Sequence, residues 1–279
     1  PRFTYGWDWT PRTVQVGIAG RVRIAVDDTT EAVEIVELTS DVDVSLSDAQ
    51  LSVRLGGEPG IIVGSEVIVE RDDGTVVASD RYRENESGFF SLRFPVSDRD
   101  LWLPNGSGAP TGVIVRISGN DGRIHASERF GLRRLRFEQT VNAPEGALPW
   151  LAVINGRRTF LAGVNWVPPR ADASQIDDAM TSRLLDLYAS IGFNLVRVWG
   201  GANRPPRSFY RKCDERGLLV WQDLPLSSSG LDNMPSSSAS FVKALGSIAK
   251  KWAADLCRHP CLALWCGGNE LSLIDEDGG

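Results

Sequence analysis

Apolar and polar positions divide the chain into two stretches of different period. From Val22 to about Phe137 the apolar residues come in short, alternating or β-branched runs: Val22–Val26, Val33–Leu38, Leu51–Leu55, Val67–Glu70, Thr75–Ala78, Phe90–Val96, Val113–Ser118 and Ile124–Arg129. Turn residues separate them, at Gly56-Gly57, Asp72-Asp73-Gly74, Asn105-Gly106 and Asn120-Asp121-Gly122. A period of two bounded by Asp-Gly and Asn-Gly steps predicts hairpins of half-buried strands. Residues Thr140–Pro149 contain Pro and Gly, have no period and read as a boundary. Beyond them the pattern becomes strand, helix, strand, helix. Strands are expected at Phe160–Trp166, Asn194–Trp199, Leu218–Gln222 and Cys261–Cys266. Helices are expected at Asp177–Ser190, Ser208–Arg216 and Ser240–Leu256. In the first helix Ile176, Met180, Leu184, Leu187, Tyr188 and Ile191 form the apolar face, and Gly192 stops it. A Ser-rich loop, Leu224–Ser238, precedes the third helix.

Seven or eight short strands without helical period predict an immunoglobulin-like β-sandwich, here with no cysteine to bridge its sheets. The β-α repeats that follow, with strands apolar on both faces, predict a parallel sheet with right-handed crossovers. Four such strands make either half of an eight-stranded β/α barrel or a small open sheet. An open doubly wound sheet usually carries a Gly-rich phosphate loop after its first strand, whereas here Pro168-Pro169-Arg170 follows.

The most informative run is Cys261-Leu262-Ala263-Leu264-Trp265-Cys266-Gly267-Gly268-Asn269-Glu270. A buried strand ends on two glycines, which admit close backbone approach, and then delivers an amide and a carboxyl group. In a β/α barrel the C-terminal ends of the strands carry the active site. A carboxyl group between apolar walls there would have its pKa pushed upward, as a general acid requires. The other strand ends supply Asn165-Trp166, Arg197-Val198-Trp199-Gly200-Gly201 and Gln222-Asp223, all on one rim if the strands are parallel. The bland alternative for Glu270 is a structural ion pair with Arg197. Nine tryptophans are many for this length, and Trp7, Trp9, Trp166, Trp199, Trp221 and Trp265 sit at segment ends. Aromatic faces there suit stacking on sugar rings, although core packing uses the same residues.

Composition narrows the function. A formal charge of −6 gives no basic surplus for phosphate backbones, so no nucleic-acid partner is expected. No apolar run approaches the roughly 20 residues that span a bilayer, so no membrane partner is expected either. The four cysteines, Cys213, Cys257, Cys261 and Cys266, lie in apolar segments and read as reduced core thiols, which leans towards a cytoplasmic chain. The spacing around Cys257-Arg258-His259-Pro260-Cys261 is not a usual zinc pattern, so no metal is expected. No Gly-x-Ser-x-Gly elbow occurs, so a serine hydrolase has no support. The chain opens on Pro1, and its true N-terminus is expected upstream.

Several motifs resemble family 2 glycoside hydrolases, the β-mannosidase branch in particular. They are Trp199-Gly200-Gly201, the stretch from Phe209-Tyr210 through Leu218-Leu219-Val220-Trp221-Gln222-Asp223, and the stretch His259 to Glu270. Tyr5-Gly6-Trp7-Asp8-Trp9-Thr10-Pro11-Arg12, Leu101-Trp102-Leu103-Pro104-Asn105-Gly106 and Phe160 to Pro168 extend the likeness in order along nearly the whole chain. The resemblance implies that 1–21 is the end of an N-terminal jelly-roll domain, 22–138 an immunoglobulin-like sandwich, and 139–279 the N-terminal half of a TIM (β/α)8 barrel. The chain is then a fragment of a larger protein. The implied activity is retaining, exo-acting hydrolysis of terminal β-mannosides, with an oligosaccharide or β-mannoside as substrate and no cofactor. Glu270 matches the general acid/base, and the nucleophile Glu is expected beyond the end of the chain. Asn269 matches the residue that binds the sugar 2-hydroxyl, Asp8 and Trp9 a loop reaching the same subsite, Trp199 its wall, and Arg197 an arginine beside the nucleophile. Asp223 and Trp166, at their strand ends, join the substrate-binding candidates. The chain departs from the family after Gly201, with Ala202-Asn203-Arg204-Pro205, and in the serines that follow Asp223. The alternatives are another family 2 exo-glycosidase (β-glucosaminidase, β-galactosidase or β-glucuronidase) and a non-catalytic sugar-binding protein. Oligomeric state is left open.

Overall fold

In the computed structural model, which describes residues 33–57, 62–228 and 233–272 together with Arg12, Gly17 and Val22, the two sequence periods become two kinds of sheet. Chain contacts divide these residues into two compact units, one containing 33–161 with Ala254–Pro260 and the other Ala162–Ala253 with 261–272.

The first unit begins with seven strands: β1 (Glu34–Val42), β2 (Asp48–Gly56), β3 (Glu66–Glu70), β4 (Val76–Arg81), β5 (Phe90–Pro95), β6 (Val113–Ser118) and β7 (Ile124–Phe130). They form two antiparallel sheets, ordered β1-β2-β5 and β4-β3-β6-β7. Alternation decides what is buried. In β6 Val113, Val115 and Ile117 are fully covered while Ile114, Arg116 and Ser118 remain part-exposed. Leu38, Leu51, Val53, Val67 and Val69 meet them in one core from both sheets. Each such side chain contributes roughly 1.5–3 kcal/mol when removed from water, and no cysteine lies in these strands. The expected strand at 22–26 lies outside the described residues except for Val22.

Three further strands belong to the same unit: β8 (Leu135–Glu138), β9 (Leu151–Ile154) and β10 (Arg157–Thr159), in the order β10-β9-β8. The aperiodic stretch at 140–149 is therefore a loop between two paired strands, and the change of unit comes after Leu161. Asn155 and Gly156 make the β9-β10 turn with φ of 47° and 74°, the left-handed pair that a two-residue hairpin needs. The Asn155 amide also donates to the Trp102 carbonyl at 2.9 Å and accepts from the Arg134 N–H at 2.8 Å. The segment Ala254–Pro260 joins this unit through Arg258, whose guanidinium bonds Glu128 at 2.5 Å and the Ile35 carbonyl at 3.0 Å.

The second unit is a parallel sheet, β11 (Gly163–Trp166), β12 (Leu195–Val198), β13 (Leu219–Asp223) and β14 (Leu262–Cys266), whose order in space follows the sequence without reversal. Helices α1 (Asp178–Ser190), α2 (Arg207–Arg216) and α3 (Ala239–Leu256) connect the strands. The Asp177 carboxylate caps α1 by accepting from the Met180 N–H at 2.7 Å. Arg216 of α2 ties the two helices together, donating to Asp186 at 2.6 Å and to the Ser182 hydroxyl at 2.8 Å. The buried side of α1 differs from the expected one: Thr181 and Leu185 are covered, whereas Leu187 and Ile191 are more than half exposed. Among the described residues no helix is long and apolar enough to cross a membrane.

Candidate active site

Strand register sorts the rim residues onto two faces. Trp166, Val198 and Gln222 stand side by side, as do Asn165, Arg197 and Trp221 one residue earlier. The first row turns to the helices. Trp166 packs its ring 4.8 Å from Phe209 and edge-on to Tyr188, and Gln222 accepts the Tyr210 hydroxyl at 2.6 Å. Burial pushes the Tyr210 phenol and the Cys213 thiol well above their ordinary pKa, so both remain neutral parts of that layer. The second row lies on the opposite face, where Asn165 is exposed and Arg197 part-exposed. The expectation that Trp166 lines a sugar cleft is thus corrected: alternation turns it into the helix-covered layer.

On the open face Arg197 donates from Nε and Nη2 to the two oxygens of Asp223, at 3.2 and 2.7 Å. Asp223 is also held by the Gly200 N–H at 3.0 Å, and its side chain is 0% exposed. A Cβ at Gly200 would stand 2.3 Å from the Leu226 carbonyl oxygen, so only glycine admits this approach. Asp223 therefore makes no open contact; it fixes Arg197. The guanidinium lies 5.2 Å over the Trp221 ring and passes Nη2 to the Asn269 amide oxygen at 3.0 Å. The alternative partner for Arg197, Glu270, is not the one it takes. Trp199 reaches the same rim but is buried among Ala202 and Val167, with the Gly201 backbone against its indole.

Asn269 and Glu270 are set by the chain that leaves β13. The Leu224 N–H bonds the Cys266 carbonyl at 2.8 Å, the Asn269 N–H the Leu226 carbonyl at 3.0 Å, and the Ser228 N–H the Asn269 carbonyl at 2.9 Å. Parallel pairing thus continues past the ends of both strands, through a bridge between Ser227 and Asn269. Asn269 is buried, and Glu270 is exposed with φ of 52°. The left-handed backbone at a non-glycine residue costs of order 1–3 kcal/mol and is concentrated at functional sites. Among the described residues Glu270 is exposed, without the apolar walls expected around it. Its Oε2 accepts the Ser228 hydroxyl at 2.8 Å. Asp8 and Trp9 lie outside the described residues. Ser228 and Gly200 were not singled out as site residues by the sequence; the departure of the serine loop from the family pattern was the available signal.

No family model matches the chain. Among curated proteins it is similar to Beta-mannosidase B of Aspergillus clavatus, 27% identical over 289 residues, covering all of this chain and 32% of that protein. The same protein from Emericella nidulans is 28% identical over 303 residues, again covering 32% of its length. The similarity to these β-mannosidases runs along the whole of this chain. Among solved structures it resembles the β-D-mannosidase of Dictyoglomus thermophilum, with a TM-score of 0.73 and 25% identity over 96% of this chain and 33% of that one. The β-glucuronidase of Parabacteroides merdae shares the fold, at a TM-score of 0.64 and 18% identity. The chain thus spans about a third of the length of the relatives it matches.

Proposed function

We propose that the protein carrying this chain is a retaining, exo-acting glycoside hydrolase that removes terminal β-linked mannose, with Glu270 as general acid/base. The observation that carries the reading is the pair Asn269–Glu270, emerging beyond a parallel strand beside the buried Arg197–Asp223 ion pair. We read the sheet as the first four strands of a (β/α)8 barrel, because its strands follow one another without the reversal of a doubly wound sheet. Asp8 and Trp9, outside the described residues, stay candidates for binding the sugar through the resemblance alone. Mannose is favoured by the names of the similar proteins.

In the first step Glu270 gives its proton to the glycosidic oxygen as the bond to the anomeric carbon breaks. A second carboxylate, assigned to a glutamate outside these 279 residues, attacks that carbon. In the second step Glu270 takes a proton from water, which displaces the carboxylate with the original configuration restored. Asn269, its amide oxygen held by Arg197, offers its N–H to the sugar 2-hydroxyl.

The test uses the full-length protein and aryl β-mannosides. Glu270→Gln is expected to lower kcat/KM for a poorly activated aryl mannoside by about 10²–10⁴-fold and to spare kcat/KM for a dinitrophenyl mannoside, which leaves without an acid, while kcat for the latter falls because the second step has lost its base. Equal turnover of the poor substrate by both proteins removes Glu270 from the mechanism. A panel of aryl glucosaminides, galactosides and glucuronides tests the choice of sugar.

A further inference from the structure

We infer that Ser228 is a positioning residue for the acid/base carboxyl, holding Oε2 of Glu270 so that Oε1 is the oxygen that carries the proton. The inference rests on the assignment of Glu270 made above.

Three observations lead to it. Ser228 is only 2% exposed, and its Oγ lies 2.8 Å from Glu270 Oε2, the one hydrogen bond of that carboxyl among the described residues. The donor itself is anchored, because the Ser228 N–H bonds the Asn269 carbonyl at 2.9 Å while the Asn269 N–H bonds the Leu226 carbonyl at 3.0 Å. Each of the two serines thus stands beside one member of the Asn-Glu pair, Ser227 through a long 3.5 Å contact to the Asn269 amide. Finally, Glu270 is exposed, and among the described residues no other hydrogen bond holds its carboxyl. Without a tether its carboxyl would sample positions from which no proton reaches the glycosidic oxygen.

The chemistry fits both halves of a proton-transfer cycle. When Glu270 is a carboxylic acid, the proton sits on Oε1 and Oε2 is a carbonyl oxygen accepting from Ser228. When the proton has gone to the leaving oxygen, Oε2 is a carboxylate oxygen accepting from the same hydroxyl. The serine keeps its own proton throughout, so nothing besides the Glu270 proton is transferred. Ser228 touches neither sugar nor water in this scheme; it acts only through the carboxyl it holds.

The experiment compares leaving groups in the full-length protein. Ser228→Ala is expected to lower kcat/KM for phenyl β-mannoside by roughly tenfold to a hundredfold, the worth of a hydrogen bond to a charged group, and to change that for 2,4-dinitrophenyl β-mannoside by less than about twofold. The loss for the phenyl substrate should fall on kcat, with KM nearly constant. Ser228→Cys keeps the volume and a weak donor and should lie between the two; if Ser228→Ala does not fold, this variant carries the comparison. A loss of equal size for both leaving groups assigns Ser228 a merely structural part and overturns the inference. So does an unchanged phenyl rate. Glu270→Gln, run in parallel, separates the two readings. If it shows the acid signature and the Ser228 variants do not, only the positioning role fails. If it does not, the acid/base assignment falls and takes the positioning role with it.

Discussion

At the residue scale the open face of the parallel sheet is organised by one carboxylate that touches nothing outside the protein. Asp223 is fully covered and spends its oxygens on Arg197 and the Gly200 N–H. Taking Arg197 away leaves the Asp223 carboxylate, 0% exposed, without its counter-charge. Arg197→Met should therefore lower the stability of the unit by about 3 kcal/mol or more, read as a shift of the urea midpoint. A second change, Asp223→Asn, should recover part of the loss. A cost below about 1 kcal/mol would mark the pair as no better than a surface contact. The polar residue types at the strand ends were legible because an apolar run that stops on Gly-Gly-Asn-Glu or Gln-Asp announces its own end. Which carboxylate would meet Arg197 was not. Arg197 and Asp223 come from two strands and Asn269 from the chain just past a third, and their contact depends on a register that no single segment encodes. The same holds for Trp166, whose place at a strand end was readable but whose face was not, since a shift of one residue exchanges the two sides of a strand.

At the scale of elements, the sandwich strands were readable because each has one wet side, as β5 with its strict alternation of buried and exposed positions demonstrates. The helices were readable in extent but not in orientation. The apolar stripe of α1 pointed to Leu187 and Ile191, yet the covered side runs through Thr181 and Leu185, because packing against α2 through Arg216 decides the rotation. The hairpin of β9 and β10 went unread although Ile154-Asn155-Gly156-Arg157 carries its Asn-Gly signature; its strands are only four and three residues long. Gly156 sits at φ 74°, where a Cβ is disfavoured although the space around it is open. Gly156→Ala should then cost about 1–2 kcal/mol by backbone strain alone, measured as a lower unfolding midpoint, and an unchanged midpoint would contradict the turn geometry.

For the whole molecule, the distribution of charge pairs sets the response to acid. Burial by itself would raise the pKa of Asp100, but hydrogen bonds from Arg71 and from Ser97 outweigh it and hold the carboxyl below its ordinary value of 3.8. A carboxyl depressed in the folded state contributes its stability above the unfolded value and loses it as pH falls through the folded one. The first unit should therefore lose stability as the pH drops below about 4, and Arg71→Met should make that loss shallower. Circular dichroism of thermal unfolding between neutral and acid pH checks both; identical acid profiles for the two proteins would show that the pair does not govern the response. The change of unit after Leu161 was not legible from the change of period, because the short strands β8 to β10 belong to the first unit.

The strand order β11-β12-β13-β14 has a practical consequence for anyone who produces these residues by themselves. Among the described residues Gly163–Trp166 and Leu262–Cys266 are the outermost members, each pairing with one strand only, and Trp265 on the last is 38% exposed. Strands paired on one side only are templates for recruiting neighbouring molecules into growing ribbons. Purified alone, the polypeptide should cloud with concentration and scatter light before it reaches the millimolar range, and a soluble fusion partner at either border would be the first remedy.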